Sequence, residues 1–193
     1  MTEVVVAIDE EQLVARISNL IARAADDATS RDDRIFRFGV SGDFRNFYIF
    51  IFTSLHAAAI FVAENAAKDY IKKMAFFFPP DRLPRFDCLL LGLGQDGHTC
   101  SLFPGHRALD DENMWVTWEL NAPKPPPSRI SLTMPVINNA RMCMFIVTGA
   151  SKAETVKRIL RDKEDLPATR VEPIDGTLFW LLDQEAGRLL NSD

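Results

Sequence analysis

Cysteine, histidine and glycine are scarce in this chain: 193 residues contain three cysteines, three histidines and nine glycines. Cys88, Cys100 and Cys143 are an odd number without metal-ligand spacing. Cys88 and Cys143 lie in apolar runs and read as small buried hydrophobes, a pattern that suits a reducing compartment. Basic residues are outnumbered, 22 Lys and Arg against 27 Asp and Glu, for a net charge of -5. That balance argues against a general nucleic-acid binder, although it leaves room for a local cationic pocket around an anionic metabolite. Long apolar runs are nearly absent. Phe47 to Ala63 reaches only the lower limit for crossing a bilayer, and Thr53, Ser54 and His56 interrupt it. It reads better as two short buried strands, Tyr48 to Phe52 and Ile60 to Val62. Met1 to Glu10 carries acids and no apolar core like that of a signal peptide, so the expected location is cytoplasmic.

What is present is an alternation of strands and helices. Val4 to Ile8 reads as a strand. Asp9 caps the next helix, with Gln12 completing a capping box. Leu13, Ile17, Leu20, Ile21 and Ala24 follow at helical spacing. Ile35 to Val40 is a second strand, ending in Ser41-Gly42-Asp43. A helix from about Glu64 to Phe76 turns Ala66, Ala67, Tyr70, Ile71 and Met74 inward. Phe86 to Leu93, apolar but for Asp87, reads as a central parallel strand buried on both faces. Val116 to Leu120 and Ile130 to Thr133 read as extended, on either side of a four-proline stretch that can be neither helix nor central strand. Met142 to Val147 is another central strand. A helix (Lys152 to Arg161), a strand (Leu178 to Leu182) and a helix (Gln184 to Leu190) complete the chain. The expected fold is one α/β domain over 1–193, a doubly wound, mainly parallel, Rossmann-like sheet with helices on both faces.

One turn stands out for chemistry. Gly92-Leu93-Gly94-Gln95-Asp96-Gly97-His98-Thr99 follows the central strand directly, and α/β proteins place ligands outside the carboxyl ends of their strands. Its glycines let a ligand approach the main chain, and free N–H groups in such a turn can face an anion or a carbonyl. A histidine fixed there can take a proton near neutral pH. Asp96, two residues earlier, can orient the imidazole or raise its basicity. His56 and His106 look ordinary by comparison. His56 lies in an apolar stretch, and His106 follows the last glycine of the pattern.

Five stretches together carry a family resemblance. They are Ala67-Lys68-Asp69-Tyr70, the run from Gly92 to Pro104, Pro125-Pro126-Pro127-Ser128-Arg129-Ile130-Ser131-Leu132-Thr133, Val147-Thr148-Gly149-Ala150-Ser151-Lys152, and Trp180-Leu181-Leu182-Asp183. Phe38-Gly39-Val40-Ser41-Gly42 adds the start of a phosphate loop. The chain resembles the 6-phosphogluconolactonase family over about three quarters of its length. The resemblance implies hydrolysis of 6-phosphoglucono-δ-lactone to 6-phosphogluconate in the pentose phosphate pathway. His98 would be the general base, supported by Asp96, with Arg129 and Lys152 holding the 6-phosphate. Ser41, Gly42 and Gly94 would complete the substrate site. The resemblance implies no metal and no cofactor. The expected partner is a phosphorylated sugar lactone, with no nucleic acid and no membrane, and the expected assembly is a monomer or weak homo-oligomer.

The departures from the family pattern are local. Ser41-Gly42 runs into Asp43-Phe44-Arg45, without the second glycine and serine of the family loop. The family's Asp-Glu-Arg strand end and Ser-Asn pair have no counterpart. Only 23 residues separate Gly42 from Ala66, where the family has several dozen. Residues of the natural chain are therefore expected to be missing around 43–63. A chain truly this short would lack one wall of its pocket. Two alternatives follow: a glucosamine-6-phosphate deaminase-like enzyme, which has a similar Asp-Gly-His turn, and a non-catalytic sugar-phosphate binder.

Overall fold

The structure, a computed structural model, describes residues 1–41 and 60–190, with the backbone alone at 60–62. Among the described residues five parallel strands form the main sheet, in the order β1 (Thr2–Val6), β7 (Thr177–Leu182), β6 (Met142–Val147), β3 (Cys88–Leu91) and β2 (Phe38–Ser41). The continuously apolar runs take the inner places, where both faces are covered. All four residues of β3 are buried. The strand-by-strand expectation holds for these elements, and the fold is the doubly wound α/β arrangement.

Helices cover both faces. Helix α1 (Glu10–Thr29) packs Leu13, Ile17 and Leu20 on one face, against Leu90, Met144, Phe179 and Leu181. Asp9 caps it by accepting the Gln12 N–H at 2.8 Å, and Gln12 answers by accepting from the Ile8 N–H at 2.8 Å. This is a capping box reaching one residue further back than usual. The other face carries α2 (Ile60–Met74), α3 (Met134–Asn138), α4 (Ala153–Leu160) and the short α5 (Gln184–Gly187). There Ala67, Val136, Val156 and Ala186 join Leu89, Phe145 and Trp180 in one core. The Trp180 and Phe145 rings stack at 4.1 Å and 17°.

Three expectations change. Ile60 to Val62, read as a strand, opens α2 instead. A three-residue apolar run fits either period, and here it continues a helical register. The strand expected at Tyr48 to Phe52, the site residue Gly42 and most of the 43–63 stretch lie outside the described residues. Strands β4 (Val116–Glu119) and β5 (Arg129–Leu132) form where extended chain was expected, but as a separate antiparallel pair rather than as members of the main sheet. That pair lies against α2 and brings Arg129 toward the carboxyl end of β3. Tyr70, expected to face inward, is exposed.

At the opposite end of the sheet Asp87 is buried beneath a ring of donors. It pairs with Arg31, accepts the Arg37 N–H at 2.7 Å and lies 3.4 Å from Arg141. Two clefts of about 430 and 320 Å³ open at this amino end. One is bounded by Met1 and Thr2, the other by Asp87, Met142 and Thr177. Neither touches His98.

Candidate active site

The turn after β3 is built from its own hydrogen bonds. The Gly94 N–H donates to the His98 carbonyl at 2.8 Å, and the Gly97 N–H to the Gly94 carbonyl at 3.1 Å. Thr99 Oγ1 donates to the Gly92 carbonyl at 3.0 Å. Gly97 has φ 83°, in the left-handed region that favours glycine, and a Cβ there would crowd Leu166. A Cβ on Gly94 would run into the His98 imidazole and the Asp96 carboxylate. The glycines are thus the condition for the histidine to fold back over the turn.

Within it, Asp96 and His98 form a dyad. Asp96 Oδ1 lies 2.5 Å from His98 Nδ1 and also accepts the His98 N–H at 3.3 Å. The carboxylate fixes the ring so that Nε2 is the free nitrogen. Burial pushes the His98 pKa down. Asp96 works against this, while the charges of Arg129 and Lys124 add to it, and the net direction is downward. The imidazole is therefore neutral at pH 7, the form a base requires. Burial pushes Asp96 up, but its hydrogen bonds with His98 outweigh this and hold it below the usual carboxylate range.

Helix α4 clamps the same turn from below. Lys152 Nζ donates to the Leu93 carbonyl at 2.6 Å, and Thr155 Oγ1 to the Gln95 carbonyl at 2.8 Å. Burial, then the charge of Lys124, lowers the Lys152 pKa, and Asp96 opposes both. An ammonium has three donors, and among the described residues one is used, which leaves two for a ligand. The turn carrying Lys152 is itself held by Asp183, which accepts the Gly149 N–H at 2.8 Å and caps α5 through the Ala186 N–H at 2.7 Å.

Arg129 enters from β5. Its Cζ stands 5.5 Å above the ring of Phe103, and that ring lies 4.5 Å from the His98 ring. Its Nε and Nη2 donate to the carbonyls of Pro126, Lys124 and Pro125 at 3.0, 2.6 and 3.4 Å. Among the described residues Nη1 keeps its two donors. Ser41 ends β2, its carbonyl accepting the Gly92 N–H at 2.7 Å. Its hydroxyl is engaged with the Cys100 thiol, whose pKa burial pushes up against hydrogen bonds with Ser41, Thr99 and Ser131. The structure thus brings Gly94, Asp96, His98, Arg129 and Lys152 to one rim, and sets Ser41 beside Cys100.

Phe103, Lys124 and Thr155 escaped the sequence reading. Thr155 had a visible signal: three residues after Lys152, it shares that residue's helix face. Phe103 and Lys124 had none, because a phenylalanine in a motif reads as core and a lysine among prolines as a solvated charge.

The family model for glucosamine-6-phosphate isomerases/6-phosphogluconolactonase matches residues 47–180. The chain belongs to that family. Among curated relatives, 6-phosphogluconolactonase of Rattus norvegicus is 50% identical over 129 residues, covering 66% of this chain and 50% of the relative. The Homo sapiens protein of the same name is 51% identical over the same length and coverage. The chain spans about half the length of these curated relatives. Among solved structures, 6-phosphogluconolactonase from Trypanosoma cruzi superposes with a TM-score of 0.79 at 19% identity, over 100% of this chain and 98% of that one. This last likeness concerns the fold.

Proposed function

We propose that the chain hydrolyses 6-phosphoglucono-δ-lactone to 6-phosphogluconate, the step expected of it in the pentose phosphate pathway. The observation that carries this reading is the Asp96–His98 dyad, 2.5 Å across, at the carboxyl end of β3 beside two cations. Neutral His98 takes a proton from water through Nε2, and the water attacks the lactone carbonyl. A neighbouring cation stabilises the oxyanion, since the Gly92, Gly94, Gly97 and His98 N–H groups are committed to bonds of their own. The imidazolium, steadied by Asp96, returns the proton to the departing ring oxygen. Lys152 and Arg129 hold the phosphate, Lys as a point charge and Arg through Nη1, and so set the carbonyl before His98. Ser41 contributes to the phosphate loop in this reading; Gly42, its expected partner there, lies outside the described residues.

The reading is tested by lactone turnover above the spontaneous rate, measured with the purified protein. Turnover of glucosamine 6-phosphate instead would make the chain a deaminase. Binding of 6-phosphogluconate with no turnover of either substrate would make it a sugar-phosphate binder. The connection at 43–63 remains, in our reading, shorter than the natural one.

Arg129→Ala tests the electrostatics. The cation lowers the His98 pKa, so its removal must raise it. The base must be neutral to act, so activity is lost as pH falls through the His98 pKa. That acidic limb of kcat/KM therefore moves to higher pH in the variant. KM rises about 10- to 100-fold, the scale of one charge-assisted hydrogen bond. A limb that stays in place or moves to lower pH, or an unaltered KM, contradicts the assignment.

A further inference from the structure

A second carboxylate–imidazole pair stands beside Phe103. His106 Nδ1 lies 2.9 Å from Glu119 Oε2, and Glu119 Oε1 accepts the Asn121 N–H at 2.7 Å. Glu119 is only 7% exposed. Burial pushes its pKa up, but the Asn121 N–H and His106 outweigh burial and hold it below the usual range. The carboxylate is thus ionised, with both oxygens engaged. It fixes the Nδ1–H of His106 inward and leaves Nε2 as the outward nitrogen.

The position of this pair matters more than its existence. The His106 ring lies 5.5 Å from the ring of Phe103, which the His98 ring approaches to 4.5 Å and the Arg129 guanidinium to 5.5 Å. Phe103 is 1% exposed. Two partly exposed imidazoles and a guanidinium therefore roof one buried phenyl ring. Glu119 and Arg129 are also directly opposed across β4 and β5, which places the anchor of His106 beside the phosphate-binding arginine. A buried carboxylate is costly unless it is paired. Here one is spent on orienting a ring whose other nitrogen makes no hydrogen bond within the described residues.

We propose that His106, oriented by Glu119, is a further substrate-contacting residue, its Nε2 hydrogen-bonding a hydroxyl of the sugar. A hydroxyl both donates and accepts, so it suits Nε2 in either protonation state. His106 thereby reads the polyol, while Arg129 and Lys152 hold the phosphate. This rests on the sugar-phosphate reading given above.

The test is calorimetry with two probes, 6-phosphogluconate and inorganic phosphate, on the wild-type protein and His106→Ala. The variant is expected to bind 6-phosphogluconate about three- to tenfold more weakly, the scale of one hydrogen bond, and inorganic phosphate unchanged. In the wild type, the ¹⁵N resonance of His106 Nε2 should shift with 6-phosphogluconate and stay still with phosphate, a readout that survives a poorly folding variant. Equal weakening toward both probes would make His106 a prop for Arg129 and overturn the proposal. So would unchanged 6-phosphogluconate affinity or a silent Nε2 resonance. A wild type that binds phosphate but not 6-phosphogluconate would instead remove the sugar-phosphate reading, and the His106 assignment with it.

Discussion

Replacing His98 by alanine is expected to lower lactone turnover by about 10²–10⁴-fold, the usual contribution of a positioned general base, while KM stays within a few-fold. His98 is held by a carboxylate at 2.5 Å, on a turn pinned by hydroxyls of Thr99 and Thr155 and by the Lys152 ammonium. Nothing else near Gly94 combines a neutral nitrogen with that degree of fixation. Asp96→Asn should lose part of the same factor, because the amide can hold the ring in either orientation and cannot stabilise imidazolium. The fold should be retained, since the His98 ring sits partly exposed at the rim, over the buried Phe103 ring rather than within the core. Turnover is measured against the spontaneous hydrolysis rate, alongside thermal unfolding of the variant. Wild-type rates with an intact fold would remove His98 from the chemistry.

The second large effect is on stability. Trp180→Ala should lower the unfolding free energy by about 3–5 kcal/mol, the cost of deleting a large aromatic from a close-packed core. Trp180 is 1% exposed and its ring stacks on Phe145. Its strand, β7, is paired on both sides, with Val4 opposite Trp180 in β1 and Phe145 opposite it in β6. A cavity there cannot collapse without shifting two ladders. Native domains have only about 5–15 kcal/mol in hand, so the variant should unfold at markedly lower urea. Trp180→Phe should recover most of the loss. Ile174→Ala, at a residue 78% exposed, should stay within about 0.5 kcal/mol. A loss at Trp180 no larger than at Ile174 would mean that the two rings do not share a core.

The main sheet was legible because its inner strands are unbroken apolar runs and its first helix announces itself through Asp9 and Gln12. The turn at Gly92–Thr99 was legible because glycine, acid and histidine at that spacing serve little else. What stayed hidden depends on distant partners. Asp87 falls within the expected strand Phe86 to Leu93, where nothing local explains a buried charge; it is matched by Arg31, 56 residues earlier in the chain. Arg129 was expected to hold a phosphate, but nothing local shows that three of its five donors are committed to the proline loop. His106 seemed ordinary because Glu119, which gives it direction, lies 13 residues away in β4. Local pattern carries period and turn chemistry; it does not carry which side chains meet across elements.

The strand order has a bearing on how this molecule is made. Among the described residues β1 has one neighbour in the sheet, β7, and the Met1 ammonium reaches the Gly176 carbonyl at 3.1 Å. Val4 of β1 pairs with Trp180 of β7, so the two partners lie far apart along the chain. Translation makes β1 well before β7, and in that interval the nascent chain must shelter an unmatched strand and the bare side of α1; contacts so far apart in sequence form slowly. The turn at Gly92–Thr99, seated beside β2, β3 and β6, can take shape earlier. β1 thus waits on β7, a window in which holding chaperones would have most to grasp.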